Sequence, residues 1–182
     1  MTVSRGRLLL VLAGLLGAAL LVFVWADRTT PTWYAKLRYP LRYEPIIRGH
    51  AKNYDLDAAL LAAVIYRESK FDPEARSDSG AIGLMQLLPD TARGIAVHTG
   101  GAKFVVSDLY DPEINIRYGA FYLRRLLRKY GSVRLALAAY NAGQQNVDRW
   151  RAEGEGIQFA ETRAYVDRVE RLKDIYRRAY GL

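Results

Sequence analysis

The stretch IYRESKFDPEARSDSGAIGLMQLLP, residues 65–89, joins the end of an apolar helical run to a Gly-rich turn. One carboxylate, Glu68, stands at the end of the run, and one polar side chain, Gln86, lies between apolar residues after the turn. The glycines permit positive φ angles or a close approach of the backbone. A helix end that brings an acid to a crevice beside a tight loop is suited to acid catalysis.

Glu68 falls on the apolar face of the helix that contains it. Leu61, Val64 and Ile65 recur at helical spacing, and Glu68 continues their stripe. Pro73 ends the helix soon afterwards, because the residue before a proline avoids helical angles. Burial raises the pKa of a carboxyl, and the negative end of the helix dipole acts in the same direction. The pattern therefore predicts a Glu68 that is protonated near neutral pH.

Two of these side chains also have a purely structural interpretation. Glu68 could form an ordinary helix-end salt bridge with an arginine such as Arg67 or Arg93. Gln86 either satisfies a buried backbone group or points into a site. The helix pattern alone leaves both alternatives open.

Composition excludes several kinds of site. The chain has 182 residues, about the length of one domain, and no cysteine. Disulfides, thiolate metal sites and cysteine nucleophiles are therefore excluded. The two histidines, His50 and His98, are too few and too far apart to predict a metal cluster. We expect no metal and no cofactor.

The net charge of +8 suggests an anionic partner. The basic residues are scattered, however, and the densest group is Arg124, Arg125, Arg128 and Lys129, which has the spacing of a solvated helix face. A basic surface of this kind suits an anionic polymer or an anionic membrane surface. A nucleic-acid partner is not predicted.

The N-terminal segment is predicted to direct export. Residues 8–25 form an apolar run of 18 residues that follows Arg5 and Arg7. Residues 1–26 are therefore predicted to be a signal peptide or a retained signal-anchor helix, with the remainder of the chain outside the cytoplasm. Retention in the cell membrane is slightly favoured, because the run has no polar break before a cleavage site. Secretion after cleavage is the alternative.

The remaining sequence predicts an all-α domain. Residues 27–45 contain three prolines, so residues 27–42 are predicted to be a linker and residues 43–182 the domain. Asp55 or Asp57 is expected to cap the helix that contains Glu68. Asp111 and Ser132 are expected to cap two later helices, and a final helix covers about residues 162–180. No stretch alternates as a strand would, so the domain is predicted to be a compact, bundle-like fold.

Three short motifs now resemble those of soluble-lytic-transglycosylase-like domains, which belong to the lysozyme-like superfamily. Glu68-Ser69 resembles the ES motif of that family, residues 83–86 its GLMQ motif, and residues 139–141 its AYN motif. The order and spacing agree, and residues 109–112, Asn115 and Gly119 fit the segment before the AYN helix. The resemblance covers about residues 43–180.

This resemblance implies a lysozyme-like helical fold that acts on peptidoglycan glycan strands. The implied reaction cleaves the β-1,4 bond between N-acetylmuramic acid and N-acetylglucosamine and leaves a 1,6-anhydromuramic end. Glu68 would be the single acid and base, whereas ordinary glycosidases use two carboxylates. The acidic residues nearby in sequence are expected to be caps or surface charges: Asp72, Glu74, Asp78 and Asp108.

The resemblance also implies substrate-binding positions on both sides of a groove. These are Ser69, Met85, Gln86, Ala139, Tyr140, Asn141 and Tyr165. Plain core packing remains the alternative for Met85 and Tyr165. Two other functions also remain open, a goose-type muramidase that hydrolyses the same bond and a non-catalytic peptidoglycan-binding module. The sequence indicates no particular protein partner.

Overall fold

The computed structural model describes residues 5–99, 101 and 103–182. The chain divides into two compact units, Met1–Pro40 and Leu41–Leu182. The first contains helices α1 (Arg5–Thr29) and α2 (Thr32–Arg38). The second contains α3 (Glu44–Asn53), α4 (Ala58–Ser69), α5 (Pro89–His98), a 3₁₀ turn (Val106–Tyr110), α6 (Pro112–Tyr130), α7 (Val133–Ala142), α8 (Gln144–Ala152) and α9 (Ala160–Tyr180).

The N-terminal segment that was predicted to be a signal or transmembrane helix is helical, as α1. Among the described residues, no helix is both long enough and apolar enough to cross a membrane. Residues 1–4 and the side chains of Arg5 and Arg7, on which the orientation prediction depends, lie outside the described part of the chain. The predicted linker is partly ordered, because α2 forms directly after Pro31, whose φ of −56° suits a helix start.

Helix α4 is the centre of the second unit. Every residue from 59 to 66 is buried, and the helix packs against α3 and α9. Helix α7 packs against α6, α8 and α9, so α9 contacts both α4 and α7. The predicted all-α class is confirmed for the described residues, in which the only β pairing consists of two isolated bridges.

The helix ends follow the capping residues of the sequence. Of the two candidates before α4, Asp57 is the cap, and its side chain accepts hydrogen bonds from the backbone N–H groups of Ala59 and Leu60. Asp111 caps α6 and Ser132 caps α7 in the same way. Short polar side chains stabilise these ends because they pair N–H groups that the helix itself leaves free.

The segment between α4 and α5, residues 70–88, is an irregular loop held by buried polar contacts. Asn115 of α6 is fully buried, and its side-chain oxygen accepts from the N–H of Met85 at 2.8 Å. Its amide nitrogen donates to the carbonyls of Ile82 and Leu109, at 3.0 and 2.7 Å. Gly83 has a φ of +77°, and a Cβ there would lie 2.3 Å from the Asn115 amide. Only glycine fits at this point, so the loop is fastened to α6 in one position.

Candidate active site

Glu68 lies in the last turn of α4 and is largely buried. Burial raises the pKa of its carboxyl, while the hydrogen bond from Tyr165 and the charge of Arg67 act in the opposite direction. The predicted direction of the shift is therefore found. The salt-bridge alternative is not found among the described residues, because Arg93 pairs with Asp90 and Arg67 stacks over the Tyr165 ring at 5.3 Å.

Tyr165 of α9 contacts the acid directly. Its side chain is 1% exposed, and its hydroxyl donates to Oε1 of Glu68 at 2.5 Å. Burial, followed by the nearby Glu68 charge, raises the pKa of Tyr165 well above its ordinary value. The phenol therefore stays protonated and remains a hydrogen-bond donor. Tyr165 is thus both buried in the core and bonded to the acid.

Tyr140 of α7 connects the AYN helix to the loop. Its hydroxyl donates to the carbonyl oxygen of Met85 at 2.7 Å, and its ring lies 5.5 Å from that of Tyr122. Burial and the charge of Glu68 raise the pKa of Tyr140 well above its ordinary value. The contact holds the loop against α7 on the side of the cleft that faces Glu68.

Gln86 satisfies both of the interpretations that the sequence left open. Its backbone is left-handed, with a φ of 47°, and its amide nitrogen donates to the carbonyls of Ala75 and Gly83 at 3.0 and 2.9 Å. The same side chain lines the cleft next to Glu68. It therefore closes the loop on itself and also presents a polar surface to the cleft.

Three of the predicted substrate-binding residues do not line the cleft with their side chains. Ser69 donates to the carbonyl of Leu84 at 2.9 Å and so joins the end of α4 to the loop. Met85 is fully buried, and its side chain packs on Gly119, where a Cβ would lie 2.1 Å from the sulfur. Ala139 is also fully buried. These residues pack behind the side chains that line the cleft.

The cleft has a volume of about 400 Å³ and is formed by α4, the loop, α7 and the start of α9. It is lined by Arg67, Glu68, Ser77, Ser79, Ala81, Gln86, Leu88, Tyr140, Asn141, Glu161 and Tyr165. Five of the predicted site residues are therefore brought together. One of them, Asn141, accepts a hydrogen bond from the buried hydroxyl of Thr162 at 2.8 Å.

Sequence reasoning missed several contributors to the cleft. Glu161 lies four residues before Tyr165 on α9, so the helical spacing places both on one face and could have identified it. Ser77 and Ser79 lie in the segment that was interpreted from sequence only as a Gly-rich turn. In the structure, they line the cleft. Asn115 was noted only as part of the resemblance, although it holds the loop. Within the described residues, no group of three or more metal-ligating side chains is found.

Residues 45–161 match the family model described as the transglycosylase SLT domain. Among curated proteins, the chain is 34% identical over 161 residues to a soluble lytic murein transglycosylase from Salmonella typhimurium, a match that covers 79% of this chain and 24% of that protein. The chain therefore spans about a quarter of the length of this relative.

Two solved structures are similar to the chain. One is an inactive mutant of the lytic transglycosylase Slt from Pseudomonas aeruginosa, with a TM-score of 0.74 and 33% identity, covering 80% of this chain and 25% of that one. The other is the 70-kDa soluble lytic transglycosylase in complex with bulgecin A, with a TM-score of 0.76 and 30% identity, covering 82% of this chain and 26% of that one.

Proposed function

The chain belongs to the transglycosylase SLT domain family, and on that premise we propose that it is a peptidoglycan lytic transglycosylase. The proposed substrate is the glycan strand, cleaved at the β-1,4 bond between N-acetylmuramic acid and N-acetylglucosamine. The observation that carries the proposal is a partly buried acid, Glu68, whose pKa is raised and which accepts a hydrogen bond from Tyr165 in an open cleft.

The proposed first step is proton donation by Glu68. A raised pKa increases the fraction of the carboxyl that is protonated at a given pH, which favours a general acid. Its proton passes to the glycosidic oxygen, the bond from that oxygen to C1 of the muramic residue breaks, and C1 becomes electron-deficient. The Tyr165 hydroxyl then stabilises the carboxylate that Glu68 has become, because hydrogen bonds to charged groups are stronger than neutral ones.

The proposed second step uses the same carboxylate as a base. Glu68 takes the proton from the C6 hydroxyl of the muramic residue, and the C6 oxygen bonds to C1. The product is a 1,6-anhydro ring, no water is consumed, and Glu68 is protonated again. One residue can perform both steps because donation and abstraction occur in succession.

The other cleft residues are proposed to position the sugar. Gln86 of the loop and Asn141 of α7 both line the cleft with amide side chains, and Tyr140 holds the loop through Met85. Ser69, Met85 and Ala139 are proposed to contribute through the backbone and the packing behind the walls rather than through side-chain contacts with the substrate.

Hydrolysis by a muramidase is the second candidate, and one observation favours keeping it. Glu161 places a second carboxylate at the cleft, and glycosidases that use water require a carboxylate pair. Glu161 is exposed on the first turn of α9, however, whereas Glu68 is partly buried. The third candidate is a peptidoglycan-binding module, which would bind the glycan strand in this cleft without cleaving it.

Product masses distinguish these candidates. Purified peptidoglycan is digested with the full chain, and the released muropeptides are analysed by mass spectrometry. We expect muropeptides with anhydro ends, which are lighter by one water than hydrolysed ends. Reducing ends throughout would replace the proposal with hydrolysis, and no release by the wild type would leave only a binding module. The Glu68→Gln variant is the inactive control.

We also propose that the chain is exported and acts at the cell wall, either anchored through α1 or released after cleavage. The apolar run of residues 8–25 behind two basic residues supports this placement. Cell fractionation with an antibody to the domain tests it. The protein should be recovered outside the cytoplasm, in the membrane if α1 is retained, and recovery in the cytosol would contradict the proposal.

A further inference from the structure

The second unit has another concavity, which shares no lining residue with the cleft. It has a volume of about 390 Å³ and lies between the end of α3 and the middle of α6. Its walls include Tyr54, Asp55, Phe121, Arg124, Arg125 and Arg128. We call it the arginine groove. From the sequence, the three arginines were interpreted as part of a solvated helix face. In the structure, they line a concavity together with aromatic residues.

Charge is unbalanced in the arginine groove. Arg124 pairs with Asp55 at 2.6 Å, yet its Nε is buried and has no hydrogen-bond partner. Among the described residues, no carboxylate lies within ion-pairing distance of Arg125 or Arg128. Three guanidinium groups therefore face one carboxylate. The next basic residue on the helix, Lys129, is instead neutralised by Asp148.

The aromatic residues form an apolar wall beside these charges. The rings of Tyr54 and Phe121 lie 6.0 Å apart in an edge-to-face arrangement. Phe121, Arg124 and Arg128 are spaced by three and four residues along α6, so they share one side of the helix. A ligand in the groove would therefore meet both aromatic rings and guanidinium groups.

We propose that the arginine groove binds a phosphate ester. Guanidinium groups form paired, charge-assisted hydrogen bonds with oxyanions, and the exposed guanidinium groups of Arg125 and Arg128 line the groove. A phosphate monoester carries close to two negative charges near neutral pH and three acceptor oxygens, which match the excess of two positive charges. A single carboxylate would leave one of these charges unbalanced. The phosphate could come from a free ester or from a lipid headgroup.

Equilibrium dialysis of the full chain against radiolabelled glycerol 3-phosphate tests this proposal at constant ionic strength. The test variant is Arg125→Gln/Arg128→Gln, which changes two exposed side chains and leaves the Arg124–Asp55 pair in place. The control variant is Arg42→Gln/Arg171→Gln, which removes the same charge from exposed positions elsewhere. A parallel arm sediments the proteins with vesicles that contain phosphatidic acid, whose headgroup is a phosphate monoester, or with vesicles of phosphatidylcholine alone.

We expect saturable binding of one ester per chain, weakened about tenfold or more in the test variant and unchanged in the control, because two charge-assisted contacts are lost. If only the vesicles with phosphatidic acid show this difference between the variants, the phosphate is assigned to a lipid headgroup. Non-saturable binding, equal loss in both variants, or displacement by acetate as effective as by phosphate would overturn the proposal. Cleavage of peptidoglycan is not measured, so the outcome is independent of the proposed function.

Discussion

The cleft around Glu68 and the arginine groove on α6 have nearly the same volume, about 400 and 390 Å³, but different electrostatics. In the cleft, the central charge belongs to a carboxyl whose pKa burial has raised. In the groove, the charges belong to guanidinium groups, which do not lose their protons in proteins. Volume therefore says little about chemistry. A group that can give and take a proton near neutral pH suits catalysis, whereas a permanent cation suits binding.

The two regions also differ in how they are assembled. The groove is formed by one side of α6 and the residues that end α3. The cleft brings α4 and the loop that follows it together with α7 and α9, which come much later in the sequence, and hydrogen bonds fasten these segments to one another. We expect the cleft to be sensitive to single buried changes and the groove to tolerate them.

The largest effect is expected from replacement of Glu68, the proposed proton donor of the cleft. Glu68→Gln should lower the rate of muropeptide release by about 10²- to 10⁴-fold, the usual contribution of general acid–base catalysis. The melting temperature should not fall, because a neutral isostere suits a buried site. Release is measured by liquid chromatography and unfolding by circular dichroism, with Arg171→Gln as a surface control. Undiminished release from Glu68→Gln would show that Glu68 is not the acid.

Next in size is a change in the loop anchor. Asn115→Ala should destabilise the protein by about 3 kcal/mol, because three buried backbone groups lose their partner. In a chain of this size, the melting temperature should fall by about 10 °C. Thermal unfolding checks this, with the exposed Gln145→Ala on α8 as the control. Equal melting temperatures for the two variants would mean that Asn115 does not hold the loop.

A smaller effect is expected from the hydrogen bond to the acid. Tyr165→Phe removes a donor that favours the charged form of Glu68, so the pKa of Glu68 should rise further. The rate should fall about tenfold, because the carboxylate formed after donation loses a hydrogen bond. The basic limb of the pH–rate profile should also move to higher pH, since deprotonation of the acid is then harder. Initial rates across pH measure both effects, and a shift to lower pH would contradict this role.

The smallest effect is expected at the exposed carboxylate of the cleft. Glu161→Gln should lower the rate by less than about fivefold, since an exposed charge contributes about 1 kcal/mol or less. Glu161 would then behave as an ordinary exposed charge that solvent screens. A loss as large as that of Glu68→Gln, together with reducing ends in the product, would indicate a carboxylate pair and hydrolysis.

Local patterns predicted much of this fold. The all-α class, the caps at Asp111 and Ser132, and the position of Glu68 on an apolar face depend on interactions within a few residues, which helical spacing and capping chemistry describe. The sequence left Asp55 and Asp57 as equal candidates, because both precede the helix and only the folded backbone selects one. The helix α2 was missed, since the flanking prolines obscured its short pattern.

The candidate site was predicted in part, from sequence motifs rather than from helical spacing and capping. The motifs identified Glu68, Gln86, Tyr140 and Asn141, and the family resemblance added Tyr165; the structure brings these residues to one cleft. They did not separate these residues from Ser69, Met85 and Ala139, whose side chains point into the packing behind it. A short motif gives the order of residues along the chain but not the direction of each side chain.

The sequence by itself determined that a lone acid ends an apolar helix beside a Gly-rich loop, and that burial would raise its pKa. Only the tertiary structure decided that Tyr165, 97 residues later, donates to that acid. It also decided that Asn115 binds the loop through the N–H of Met85. The physical reason is the separation along the chain of the residues that interact. Helix formation and capping are set by neighbours along the chain, whereas desolvation and hydrogen bonding at Glu68 are set by side chains that only packing brings together.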